Sequence, residues 1–249
     1  MGTIKLGVNL DHVATLRQAR YPGVRPEDFA EPDLETAIRA AERAGADSLT
    51  LHLRQDRRHI QDHDVTWAKS LDILPLNLEM GNTPEILERA LEVVPAFVCL
   101  VPEHRREVTT EGGLDVRAEF AQLVPTVRAL QKVGVQVSCF IDPEPDQVRA
   151  AAELEAEMVE LHTGAFANGA PEGDLGELDR LIAAATLAHA QGLQVNAGHG
   201  IRMKNLERLL RVPHLAELNV GHHLISQGIF VGLERSIRDM KEQLTRAAR

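Results

Sequence analysis

The chain has 249 residues, 44% hydrophobic and 26% charged, with 27 Lys and Arg against 37 Asp and Glu, a net charge of −10. That balance excludes the basic footprint of a nucleic-acid surface, and an aromatic content of 3% leaves few rings for stacking bases. No apolar run approaches the ~18 residues of a membrane span. The opening MGTIKLGVNLDHVATL has neither a long apolar segment nor a small-residue cleavage site, so no secretory leader is expected. Cys99 and Cys139 sit in apolar, strand-like runs and read as small buried hydrophobes in a reducing compartment. A cytoplasmic enzyme or small-molecule binder is expected, with no membrane and no nucleic acid as partner.

In chain order, β-prone runs predict strands over residues 4–10, 47–53, 74–79, 96–100, 135–141, 158–162, 193–197 and 216–220. They are rich in Val, Ile and Leu without strict polar alternation, the pattern of strands buried on both faces. Apolar spacings of three and four predict helices over 34–44, 84–94, 116–133, 146–154, 177–191 and 230–246. Gly45, Gly134 and Gly192 suit left-handed C-caps, and Thr83-Pro84 and Asp142-Pro143 suit turns or N-caps after strands three and five. Eight strand–helix units without a low-complexity linker predict one (β/α)₈ TIM-barrel catalytic domain over residues 1–249. A doubly wound open sheet is the alternative, but no G-x-G-x-x-G follows the first strand.

In such a barrel the chemistry gathers at the C-terminal strand ends. His12, His52, His59, His63, His104, His162, His199, His222 and His223 all fall there, whereas His189 and His214 do not. Loops collect polar residues anyway, but this bias favours a functional cluster. His52 and Arg54 alternate with apolar neighbours toward the barrel mouth, and the loop to His59 is cationic enough to hold an anion. Arg57 and Arg58 divide evenly between that role and a solvated charge run. Glu79 ends an apolar strand, where a carboxyl must titrate abnormally or meet a cation; it is a candidate general base, with a structural salt bridge as the bland alternative. Gly198-His199-Gly200 and Gly221-His222 fall in the loops after strands seven and eight, the usual phosphate site of these barrels. Residues 103–113 are long, polar and end in paired glycines, either a lid or a solvated excursion.

Local His-x-His or His-Glu-x-x-His spacing is absent, so no metal is expected. No serine elbow occurs, and no lysine ends a strand as a Schiff-base enzyme would want. Acid–base work by His and Glu on a phosphorylated carbonyl substrate remains. An inactive metabolite-binding barrel and a phosphosugar isomerase stay open on these features alone.

The segments Leu6–Arg17, His52-Leu53-Arg54, Asp56–Ile60, Asn77–Met80, Leu100–Glu103, Glu107–Val116, Glu160–Gly164 and Asn196–Gly200 closely resemble the pyridoxine 5′-phosphate synthase family. The resemblance runs over nearly the whole chain. It implies a (β/α)₈ barrel with extra helices that condenses 1-deoxy-D-xylulose 5-phosphate with 3-amino-2-oxopropyl phosphate, giving pyridoxine 5′-phosphate, phosphate and water. It implies His52 and Glu79 as proton acceptors or shuttles and His199 as proton donor. The xylulose phosphate would meet Asp11, His12, Arg54, His59 and Thr109; the amino ketone phosphate would meet Asn9, Arg20, Gly200, Gly221 and His222. No metal or organic cofactor is implied, and the assembly would be a homo-octamer built from dimers. Three departures stand out: Gln55 where the family has Glu, a longer Pro-rich stretch over 21–32, and His223, Ser226 and Gln227 where Ala and a Gly-Arg pair are usual.

Overall fold

The computed structural model describes residues 3–23, 30–103, 112–169 and 175–247. Eight parallel strands close into a barrel in sequence order, β1 pairing with both β2 and β8. They are β1 (Lys5–Asn9), β2 (Ser48–His52), β3 (Leu76–Met80), β4 (Phe97–Leu100), β5 (Gln136–Ile141), β6 (Met158–His162), β7 (Gln194–Gly198) and β8 (Leu215–Val220). Each overlaps its predicted run, and the open-sheet alternative falls with the β1–β8 pairing.

β4, Phe97-Val98-Cys99-Leu100, is apolar throughout, as expected, whereas other strands alternate, as in Ser48-Leu49-Thr50-Leu51-His52 and Gln194-Val195-Asn196-Ala197-Gly198. The apolar set, including Leu6, Val8, Leu49, Leu51, Leu78, Val98, Val137, Val159 and Val195, joins the core packed by the helices. The polar set fills the barrel and pays its desolvation in hydrogen bonds. Ser48 Oγ donates to Glu217 Oε1 at 2.6 Å, Thr50 Oγ1 to Asn219 Oδ1 at 3.4 Å, and Asn219 Nδ2 to Glu160 Oε2 at 2.6 Å. Two strand glycines make the room. A Cβ on Gly7 would lie 1.9 Å from Asn219 Oδ1, and one on Gly198 would lie 2.0 Å from Glu160 Oε1.

The helices with predicted counterparts are α2 (Leu34–Arg43), α4 (Pro84–Val93), α5 (Val116–Lys132), α6 (Pro145–Glu153) and α8 (Leu175–Ala190). Thr83 caps α4 by accepting from Ile86 N–H at 3.4 Å, with Pro84 in the first turn. Asp142 caps no helix; Glu144 precedes Pro145 at the start of α6. The run predicted over 230–246 is broken at Gly232, whose φ of 87° separates α10 (His222–Val231) from α11 (Leu233–Ala247). Helices α1 (Asp11–Arg20), α3 (Asp62–Leu71), α7 (Gly164–Asn168) and α9 (Met203–Leu209) complete the described set. A fully buried ion pair ties α1 to α3: Arg17 Nη1 and Nη2 reach Asp64 Oδ1 and Oδ2 at 2.8 and 2.5 Å. The same Asp64 accepts Gln61 N–H at 2.9 Å, which fixes the chain just past His59. No described helix is long and apolar enough to cross a membrane.

Candidate active site

At the C-terminal strand ends lies a cavity of about 370 Å³. Asn9, Asp11, His12, His52, Arg54, His59, Glu79, His199, Gly200, Gly221 and His222 all line it, so residues from five of the strand ends meet in one place. Arg20 does not line it: it is exposed at the end of α1, its guanidinium 5.3 Å from the Tyr21 ring centre. Thr109, most of the segment over 103–113 and part of the stretch over 21–32 lie outside the described residues.

The first wall is built around Asp11. Its Oδ1 accepts the backbone N–H of His52 at 2.8 Å, and its Oδ2 accepts Asn9 Nδ2 at 2.9 Å. His52 thereby stands between two carboxyl groups, with Nδ1 3.6 Å from Glu79 Oε2 and Nε2 3.1 Å from Glu103 Oε1. Burial pushes the Glu79 carboxyl well above its usual range, and the negative charges of Asp11 and Glu160 push the same way. Glu160 is pushed up to about 7, by burial first, against the hydrogen bond from Asn219, with Glu217 adding to the rise. Burial also opposes the charge of Glu103, but hydrogen bonds from His52 and from the N–H groups of Gln55 and Gly81 outweigh it and hold that carboxyl below its usual range.

Burial disfavours the charged form of three imidazoles in the cavity, those of His12, His59 and His199. Burial lowers His59, and its Nδ1 accepts Ile60 N–H at 2.9 Å, which leaves Nε2 as the donor. Burial lowers His12 too, helped by His222, whose ring centre lies 5.0 Å away. His199 is pushed down to about 4, by burial and then by His162 and His222. It sits at φ 78° between Gly198 and Gly200, and Thr163 Oγ1 clamps its carbonyl at 2.5 Å.

The other predicted residues divide clearly. His223 lines the cavity, its Nε2 accepting Met203 N–H at 3.4 Å, whereas His63 and His162 face Asp64 and Asp142. His104 lies outside the described residues. Arg58 lines the cavity, but Arg57 is structural, bracing its loop on Asp62 at 2.8 Å and Glu85 at 2.7 Å. Cys99 has a polar neighbour, contrary to its sequence surroundings: its Sγ is 3.9 Å from Glu160 Oε2, and burial raises its thiol well above the usual range.

Sequence reasoning missed Glu160, Glu103 and Arg202. Glu160 carries the signal that found Glu79, a carboxyl between apolar Val159 and Leu161 in a strand. Arg202 lines the cavity just past Gly200, while Ser226 and Gln227 do not. Local spacing also hid one triad. Asp11, His52 and Glu79 bring ligand atoms within 4.8 Å of one another, near enough to share a cation. Both Asp11 oxygens already accept hydrogen bonds, so the cluster is satisfied as a polar network.

A closed (β/α)₈ barrel with buried carboxyls and neutral imidazoles at its mouth is the frame of an acid–base enzyme. The chain belongs to the family described as pyridoxal phosphate biosynthesis protein PdxJ, which matches residues 6–246. It is 54% identical over 242 residues to a protein of Akkermansia muciniphila named pyridoxine 5′-phosphate synthase, covering 97% of this chain and 98% of the relative. A protein of the same name from Idiomarina loihiensis is 46% identical, with 99% and 100% covered. A solved 4-hydroxy-2-oxoglutarate aldolase/2-deydro-3-deoxyphosphogluconate aldolase shares the fold alone, with a TM-score of 0.61, 19% identity, and 96% and 94% coverage.

Proposed function

We propose that this protein is a pyridoxine 5′-phosphate synthase, joining 1-deoxy-D-xylulose 5-phosphate to 3-amino-2-oxopropyl phosphate within one catalytic domain over residues 1–249. The observation that carries the reading is the pairing of Glu79 with His52 across 3.6 Å in a cavity that His199 also lines. Amine attack on the ketone, loss of water to the imine, elimination of phosphate and ring closure each move a proton and need no electron carrier. Glu79, kept protonated by burial, gives a proton to the departing oxygen and takes one back from carbon; His52 receives or returns it. His199 serves the opposite part of the cavity as donor. The xylulose phosphate is held by His12, Arg54 and His59. The amino ketone phosphate lies on N–H groups around Gly200, Gly221 and His222, where α10 begins.

Assembly into a homo-octamer built from dimers belongs to the same reading. Its support is an apolar patch at the end of α10, where Ile229 and Phe230 are 73% and 80% exposed. Native mass spectrometry should find eight chains.

Purified protein given both substrates should form pyridoxine 5′-phosphate, followed by absorbance and mass, and should leave either substrate alone unchanged. Turnover of the xylulose phosphate alone would point to an isomerase instead, and no turnover at all to a binding protein.

A further inference from the structure

Glu103 does not line the cavity, yet it touches three strand ends at once. It follows β4. Its Oε1 accepts Gly81 N–H after β3 at 3.1 Å, its Oε2 accepts Gln55 N–H after β2 at 3.0 Å, and Oε1 also lies 3.1 Å from His52 Nε2. Gly81 supplies the seat, since a Cβ there would lie 3.0 Å from Glu103 Cδ.

We propose that Glu103 is a positioning residue that fixes His52 in one tautomer, with its proton on Nε2 and its Nδ1 lone pair turned to Glu79. Two backbone N–H groups can only donate, so both Glu103 oxygens are acceptors and the group has no call for a proton of its own. Those same bonds hold it ionised. An ionised carboxylate only accepts, so the hydrogen in the His52 contact belongs to Nε2. Neutral imidazole then has one lone pair left, on Nδ1, which lies 3.6 Å from Glu79 Oε2. The Asp11 carboxylate on the His52 backbone N–H completes the clamp, and His59, 6.0 Å away ring to ring, packs on the other side. Glu103 never meets the substrate. It makes His52 an acceptor facing the Glu79 carboxyl, which has a proton to give.

The inference rests on His52 working in the proposed reaction, but its first readout needs no turnover. In ¹⁵N spectra of histidine-labelled wild-type protein near neutral pH, His52 should be the Nε2–H tautomer. Glu103→Gln keeps the volume but can donate as well as accept, so the two tautomers should mix. Its kcat should fall about 10–100-fold, the usual cost of losing an orienting partner, with KM within about threefold. Wild-type His52 protonated on Nδ1 would overturn the proposal, as would a Glu103→Gln enzyme with unchanged kcat. Should that variant not fold, the wild-type tautomer decides alone. If wild-type protein makes no product while His52 is Nε2–H, the functional reading fails and the positioning role stands.

Discussion

Glu79, Glu160 and His199 are each held in their uncharged forms by burial, and each consequence is measurable at the level of one side chain. A donor pushed down to about 4 is neutral at physiological pH, so His199 needs something to charge it. A bound phosphate dianion favours the imidazolium and should raise His199 by about one unit or more. A ¹H–¹³C titration with and without saturating pyridoxine 5′-phosphate reads this directly; an unmoved His199 would remove its role as donor. Glu160 offers a stability test. Its folded value of about 7 stands above the ordinary 4.5, so between those pH values the folded state holds a proton that the unfolded chain has released. The sign follows: stability is full below about 4.5 and falls as pH rises through 7. Glu160→Gln, which can still accept from Asn219, should therefore gain Tm relative to wild type on going from pH 5 to pH 8, measured by calorimetry. A constant difference would mean that the carboxyl is ionised throughout.

At the scale of elements, the start of α10 is where the proposed site for the amino ketone phosphate lies. Gly221 precedes it, and a Cβ there would lie 3.0 Å from the Cβ and Oδ1 of Asn9. Asn9 in turn holds Asp11, and Asp11 holds His52. Gly221→Ala should therefore raise KM for 3-amino-2-oxopropyl phosphate about tenfold, ~1.4 kcal/mol, and lower kcat as well. Steady-state kinetics with each substrate varied would check it, and a wild-type KM for the amino ketone would displace its phosphate from this turn. The Arg usual in the family at Gln227 would sit on an exposed turn of α10 away from the cavity, whereas Arg202 and His223 line the cavity together with Gly200. Helix α3 escaped the sequence because its apolar face is thin, with Val65 and Ala68 buried and Leu71 partly so, and its anchor is the charge of Asp64. Helix α9 is seven residues long, too short to show a period.

Across the whole molecule, the order and extent of the strands were legible because Val, Ile and Leu runs between Gly and Pro signals mark a parallel barrel. What faces inward was not. Ser48, Thr50, Glu160, Glu217 and Asn219 read locally as interruptions of apolar runs, and the closed barrel brings them, from β2, β6 and β8, into hydrogen-bonding range of one another. The same reason governs the site. Glu79 stood out as a lone carboxyl at a strand end, but its pairing with His52 depends on the β2–β3 register that sets His52 beside Glu79. Glu103 and Arg202 had no local signal, since each lies on a polar loop where charge is ordinary. Most of the residues that family likeness singled out line the cavity, whereas Arg20 lies against Tyr21 outside it.

The central claim is that a proton carried by buried Glu79 drives the condensation inside this barrel. Single-turnover formation of pyridoxine 5′-phosphate by wild type and Glu79→Gln, with both substrates bound at saturation, tests it most directly. Gln keeps the volume and removes the ionisable proton, so the rate should fall about 10²–10⁴-fold while the affinity for each substrate and the Tm stay close to wild type. Near-wild-type product formation by Glu79→Gln would contradict the account.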